Sequence, residues 1–495
     1  MDFRSHTVIE LSAAVRAGER TAAEIAQSAL ENVAHFNQAI GAICASDAEE
    51  TRRQAADVDR SVEQGRALPL AGVPIVVKDL EDAAGFRTSR GSGLHAEDPP
   101  ATRDSVFVSR LRTAGCVVVG KSNTPAFGHK AETENRLFGP TTNPWNPAYQ
   151  AGGSSGGTAS ALAAGVVPLG TGSDGGGSIR IPASVCGLPG FKPSVGRIPF
   201  GDGDAPMAGP LTVKAPMTTN VADLVAVLDV CVGPEPTDPD SIPRDIANWS
   251  TAVDHRPIPR RIAFSETMGF AEVDDGVARA VRDAVERIAS QGVDVVEVPT
   301  VWSESPLSPW ATQWAGRQAA ALGHHRGTPR WDLVDPGVQF YVELGEGVSG
   351  AALAQAIDAR YELFARLEAV LKDVDVLVTP TVAAPPPPLG SLLPKGAEAA
   401  FLRAAGRLRA GKLLDLVGAL PAAASKVFEF TPYTPIFNVT GQPAMSVPLA
   451  WSPTGLPIGV HFVARFADEA TLFRLAGQLE EARPWAHRRP PIFAG

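Results

Sequence analysis

Four cysteines are few for 495 residues. Cys44, Cys116, Cys186 and Cys231 lie too far apart to form a CxxC pair, which argues against a thiol zinc site and a dithiol redox centre. Cys116 and Cys186, set among apolar or small neighbours, read as buried thiols. No run of about 18 apolar residues occurs, so no membrane span is expected. The opening Met1-Asp-Phe-Arg-Ser-His6 lacks the apolar segment of a secretory leader, and the expected compartment is the cytoplasm. Basic runs are missing too. Lys+Arg total 44 against 54 for Asp+Glu, a net charge of −10, which argues against nucleic acid as a partner.

What is present fits a globular chain with a sizeable core: 44% hydrophobic and 20% charged residues. With 48 glycines and 43 prolines, many loops are expected. Residues 7–60 read as helices, with a capping box at Thr21-Ala-Ala-Glu24. Ala71–Val77 reads as a buried strand ending at Lys78-Asp79. Residues 104–114 read as a helix, Cys116–Val119 as a strand, 156–164 as a helix and Val166–Leu169 as a strand. Further strand–helix units are expected at 261–264, 275–291 and 293–298, and at 352–371 with 376–378. The segment 233–245 is a polar, proline-rich connector, but strand–helix units lie on both sides of it. The expected fold is therefore α/β: a single large domain, residues 1–495, with a central mixed, mostly buried sheet flanked by helices. An N-terminal helical segment covers 1–60. The segment 385–420, with its helix-like part 396–418, is a candidate cover over a site, or equally a surface helix. Loops at 200–215, 301–345 and 385–420 would build the pocket.

Three short patterns compete. Gly115–Ser122 fits G-x-x-x-x-G-K-S, but its middle is an apolar strand where a phosphate cradle needs a loop of free N–H groups. Gly170–Gly175 fits G-x-G-x-x-G, but no acidic residue follows about 20 positions later. Gly153-Ser-Ser155-Gly-Gly157 fits G-x-S-x-G, which would make Ser155 the nucleophile of a Ser-His-acid esterase drawing on His255, His324, His325, His461 or His487. That assignment leaves a second glycine block, Gly172-Ser-Asp-Gly-Gly-Gly-Ser178, without a role. Ser154 and Ser178 stand 24 residues apart, each among glycines. A hydroxyl beside several bare N–H donors is what acyl transfer requires.

Four segments together resemble the amidase signature family of serine hydrolases. They are Gly72–Asp79, Val119–Pro125 with Asn143–Pro147, Gly152–Pro193, and Asn438–Ala444 with Gly455–Gly459. The resemblance implies a Ser–cis-Ser–Lys triad. Ser178 would be the nucleophile, Ser154 a bridging serine on a cis peptide after Gly153, and Lys78 the base. A free lysine titrates near 10.4, so this base must be neutralised by burial. The N–H groups of Gly175, Gly176, Gly177 and Ser178 would hold the oxyanion, and Asp174 and Arg180 would support the loop. The resemblance implies no metal and no cofactor. The implied reaction cuts a small-molecule amide, with aryl amides, esters or carbamates as further substrates, in a monomer or homodimer. Ala151, Gly175 and Ala126 depart from residues common in the family, and they bear on the acyl pocket rather than the triad. A glutaminase subunit of a tRNA-dependent amidotransferase, the Ser155 esterase and a non-enzymatic binding protein remain alternatives at this point.

Overall fold

The computed structural model describes residues 1–201, 209–255, 257–391 and 428–493. The helix-like piece expected at 396–418 lies outside them, as do residues 202–208 of one expected pocket loop. Within them, the N-terminal helices start as their side chains dictate. Thr7 and Thr21 each accept a bond from the N–H three residues on, while Glu10 and Glu24 reach back to the threonine N–H. These reciprocal bonds satisfy donors that a helix start leaves bare. The helices are Val8–Arg16, Ala22–Ile40 and Ala48–Glu63. The all-helical expectation for 7–60 is corrected by a strand between the last two, β1 (Ile43–Ser46). Gly41, at φ 57°, ends the second helix in the left-handed region and turns the chain into the sheet edge.

The other strands of the two main sheets are β2 (Pro74–Lys78), β3 (Val117–Ser122), β4 (Leu169–Asp174), β5 (Gly190–Lys192) and β6 (Val213–Thr218). They continue with β7 (Arg261–Phe264), β8 (Asp294–Glu297), β9 (Val376–Pro380), β10 (Ala444–Trp451) and β11 (Pro457–Val463). The mixed sheet is realised as two. One has the order β1-β3-β2-β4-β6, the other β8-β7-β9-β11-β10-β5. Their edges β5 and β6 lie side by side. The helix Arg180–Cys186 packs on β5, β10 and β11. The loop 175–179 therefore leaves a strand of the first sheet and enters a helix seated on the second. Among the described residues no helix is long and apolar enough to cross a membrane.

Two further expectations are corrected. The strand placed at Val166–Leu169 starts where that one was to end, because Val166 and Val167 lie between the helix Gly156–Ala163 and β4. The true strand is Leu-Gly-Thr-Gly-Ser-Asp, and its small residues are imposed by crowding. A Cβ on Gly170 would lie 2.6 Å from Thr158 Cγ2 and 2.9 Å from Val76 Cγ2. Gly170→Ala is expected to destabilise the protein by about 1–3 kcal/mol, as overpacking does; a urea midpoint equal to that of the parent would contradict this account. The second correction concerns 301–345, expected to be irregular. It holds the helices Ser308–Leu322 and Pro336–Gly347, each with a proline in its first two positions. Proline is tolerated there because those N–H groups have no intrahelical partner.

Candidate active site

β2 and β4 are parallel neighbours, with Ile75 opposite Leu169 and Val76 opposite Gly170. Their carboxyl ends therefore emerge together, bringing Lys78 beside Ser173 and Asp174. Open α/β sheets bind ligands at such ends. Ser154 and Ser155 come to the same place from the segment preceding the helix Gly156–Ala163. The Gly153–Ser154 peptide is cis, as the resemblance implied. The Lys78 side chain is fully buried. Its Nζ lies 2.9 Å from Ser154 Oγ, 2.8 Å from Ser155 Oγ, 3.0 Å from Ser173 Oγ and 3.2 Å from the Ser173 carbonyl. Burial lowers its pKa to about 7, against the opposing pull of the Asp174 and Glu81 charges.

A neutral amine has two N–H donors and one lone pair. The Ser173 carbonyl can only accept, whereas the hydroxyls can donate or accept. The carbonyl therefore takes one N–H, and the three hydroxyls compete for the other N–H and the lone pair.

Ser178 is half-buried, while Ser154 and Ser155 are buried. No hydrogen bond joins Ser154 Oγ to Ser178 Oγ among the described residues. The two segments are tied through the backbone, where Ser155 N–H donates to the Ser178 carbonyl at 3.0 Å. Asp174 organises the loop between. It accepts from Gly177 N–H at 2.7 Å and Ile179 N–H at 3.2 Å, and from Arg180 Nε and Nη2 at 2.9 Å each. Burial alone would raise the Asp174 pKa. The Arg180 charge and its bonds, with Asn438 and Lys192, instead hold the carboxyl well below the usual range. Gly177 N–H, one of the four expected oxyanion donors, is thus turned to Asp174. The N–H groups of Gly175, Gly176 and Ser178 have no partner among the described residues.

Several contributors carried no role in the sequence. Ser155, weighed only as an elbow nucleophile, is fully buried and donates to the Ser173 carbonyl at 3.3 Å. No histidine is hydrogen-bonded to Ser154, Ser155 or Ser178 among the described residues. His461 instead faces Arg180 Nη1 at 3.2 Å and Thr379 at 3.2 Å. Asn438, noted only as part of a matching segment, accepts from Arg180 Nη2 at 2.7 Å and donates to the Asp174 carbonyl at 2.8 Å. Trp310 and Thr434 bond the carbonyls of Gly175 and Gly176, and nothing in the sequence marked either residue. Lys121 of the G-x-x-x-x-G-K-S match sits on β3, buried, donating to the Glu81 carbonyl at 2.6 Å and Thr88 Oγ1 at 2.7 Å. Among the described residues no group of three or more His, Cys, Asp or Glu side chains could hold a metal ion.

The model of the family described as "Amidase" matches residues 24–473. An acylamidase from Rhodococcus erythropolis is 34% identical, covering 97% of this chain and 96% of its own. One component of a glutamyl-tRNA(Gln) amidotransferase from Chloroflexus aurantiacus is 31% identical over 98% of both chains. The solved structure of a 6-aminohexanoate cyclic dimer hydrolase complexed with substrate superposes with a TM-score of 0.86 at 31% identity, covering 99% of this chain and 100% of that one.

Proposed function

This chain belongs to the amidase signature family, and from that premise we propose that it hydrolyses the carbon–nitrogen bond of a small amide through an acyl-enzyme on Ser178. Aryl amides, esters and carbamates are further substrates. The observation that carries the proposal is Lys78: a buried amine, its pKa lowered to about 7, 2.9 Å from the hydroxyl of a serine on a cis peptide. A base poised near neutral pH is what general-base catalysis asks for.

Neutral Lys78 takes the proton of Ser154 as Ser154 takes that of Ser178. Ser178 Oγ adds to the scissile carbonyl, and the oxygen gathers negative charge. The N–H groups of Gly175, Gly176 and Ser178 receive that charge, donors set in place before the reaction. Gly177 N–H, held by Asp174, fixes the loop. The proton then returns through Ser154 to the leaving nitrogen, the C–N bond breaks, and water releases the acyl group by the same relay. The partial exposure of Ser178 and the burial of Ser155 favour Ser178 as the attacking group.

The test is covalent labelling. Arg136 and Arg180 bound a tryptic peptide, 137–180, that contains Ser154, Ser155 and Ser178. After treatment with a fluorophosphonate, fragmentation of that peptide should place the adduct on Ser178. An adduct on Ser155 would overturn the assignment. Turnover confined to glutamine would instead favour the amidotransferase reading.

A further inference from the structure

Three consecutive backbone carbonyls ahead of Ser178 are each held by a side chain from a distant part of the chain. Asn438 Nδ2 donates to the Asp174 carbonyl at 2.8 Å, Trp310 Nε1 to that of Gly175 at 2.6 Å, and Thr434 Oγ1 to that of Gly176 at 2.7 Å. A trans peptide unit is planar, and the N–H of residue i+1 points opposite to the carbonyl of residue i. Whatever holds the Gly175 carbonyl therefore sets the direction of the Gly176 N–H. A donor on the carbonyl side also polarises the unit and strengthens its N–H as a donor.

The Trp310 ring is itself immobilised. It stacks on Trp314 with centroids 5.0 Å apart and an interplanar angle of 13°, and Phe428 meets it edge-on at 4.6 Å. It is 5% exposed. A Cβ on Gly176 would lie 3.0 Å from the ring, so ring and loop are in close register. Trp310 makes no hydrogen bond to any member of the proposed triad among the described residues.

We propose that Trp310 is a positioning residue for the oxyanion site: its indole N–H orients and polarises the peptide whose Gly176 N–H stabilises the developing negative charge. This rests on Ser178 being the nucleophile. A residue acting in this way contributes in the transition state more than in substrate binding, so it governs kcat rather than KM.

Trp310→Phe keeps an aromatic side chain at this position and removes the indole N–H together with the second, fused ring. For an anilide we expect kcat to fall about tenfold, less than the loss of a whole oxyanion donor, with KM within about twofold of the parent. The decisive readout uses a matched pair of oxo and thiono esters. Thiono sulfur accepts hydrogen bonds poorly, so the preference for the oxo ester measures the oxyanion donors. That preference should fall about tenfold in Trp310→Phe. A merely structural role lowers both rates alike and leaves the ratio unchanged, and that result overturns the inference. Should Trp310→Phe fail to fold, benzothienylalanine at position 310, which replaces the N–H by sulfur in the same ring shape, gives the same readout. Ser178→Ala runs beside it. If Ser178→Ala is inactive and the oxo preference survives at position 310, the inference alone falls. If Ser178→Ala stays active, the triad falls and takes the inference with it.

Discussion

Ser178→Ala is expected to leave a folded protein whose amide hydrolysis is lowered by on the order of 10⁴-fold or more. Both halves of this expectation follow from the surroundings of one hydroxyl. Ser178 is half-buried, and its Oγ makes no hydrogen bond among the described residues, so its removal leaves no buried donor or acceptor without a partner. The stability change should stay within about 0.5 kcal/mol, as for surface substitutions away from special features. The chemical loss is large because no other hydroxyl can replace it. Ser154 and Ser155 are buried against Lys78 and cannot approach a carbonyl without breaking those bonds. Ser155→Ala supplies the contrast. It removes a group that accepts from Lys78 Nζ at 2.8 Å and donates to the Ser173 carbonyl, so it should lower stability while keeping measurable turnover. The two variants are compared by anilide hydrolysis and by thermal unfolding. An active Ser178→Ala beside a dead Ser155→Ala would restore the Ser155 esterase.

Lys78, Ser154 and Ser178 stand out in the sequence because they lie in or beside regular elements with clear punctuation, though it is the resemblance to the amidase signature family that groups them as a proposed triad. Lys78 ends an apolar run, and each serine sits in a glycine block. The parallel pairing of β2 with β4 brings the carboxyl ends of two central strands together, with Lys78 beside Ser173. What fixes the loop could not be read in the same way. Asn438 lies 264 residues from Asp174, Thr434 lies 258 from Gly176, and Trp310 lies 135 from Gly175. Each contact is one side chain to one carbonyl, with no periodicity or spacing to announce it. The missed helices at 308–322 and 336–347 failed for a different reason. Pro309 and Pro336 occupy first-turn positions, where a backbone N–H has no intrahelical partner to lose and proline is compatible with the helix. Similarly, β4 carries two glycines that lower its strand propensity. Packing against Thr158 and Val76 demands Gly170, so tertiary crowding overrides local preference.

Lys78→Met is expected to abolish hydrolysis and, below neutral pH, to stabilise the protein. The folded-state pKa of Lys78 is about 7, lowered by burial, and the unfolded value is about 10.4. Between those two values the unfolded chain holds a proton that the folded one lacks, so this site's contribution to stability rises with pH. Below about 7 the folded protein must carry a buried ammonium, and the full penalty is present. Above about 10 both states are neutral and the penalty is gone. Methionine is uncharged at every pH and of similar length. Its advantage over lysine should therefore be greatest near pH 6, on the order of a few kcal/mol, and small near pH 10. Lost hydrogen bonds to Ser154, Ser155 and Ser173 reduce the gain, though the Ser155 hydroxyl keeps its bond to the Ser173 carbonyl. Lys121 and Lys192 are also buried with lowered pKa values, but they are common to both proteins, so the difference isolates Lys78. Urea unfolding of parent and variant at several pH values measures it. A difference that does not change with pH would mean that Lys78 is not neutralised by folding, and the proposed base would be lost with it. The activity of the parent carries the same signature from the other side. The proton acceptor is the neutral amine, so kcat/KM should rise with pH through a midpoint near 7. The burial that destabilises the fold in acid is the same burial that frees the lysine lone pair for Ser154.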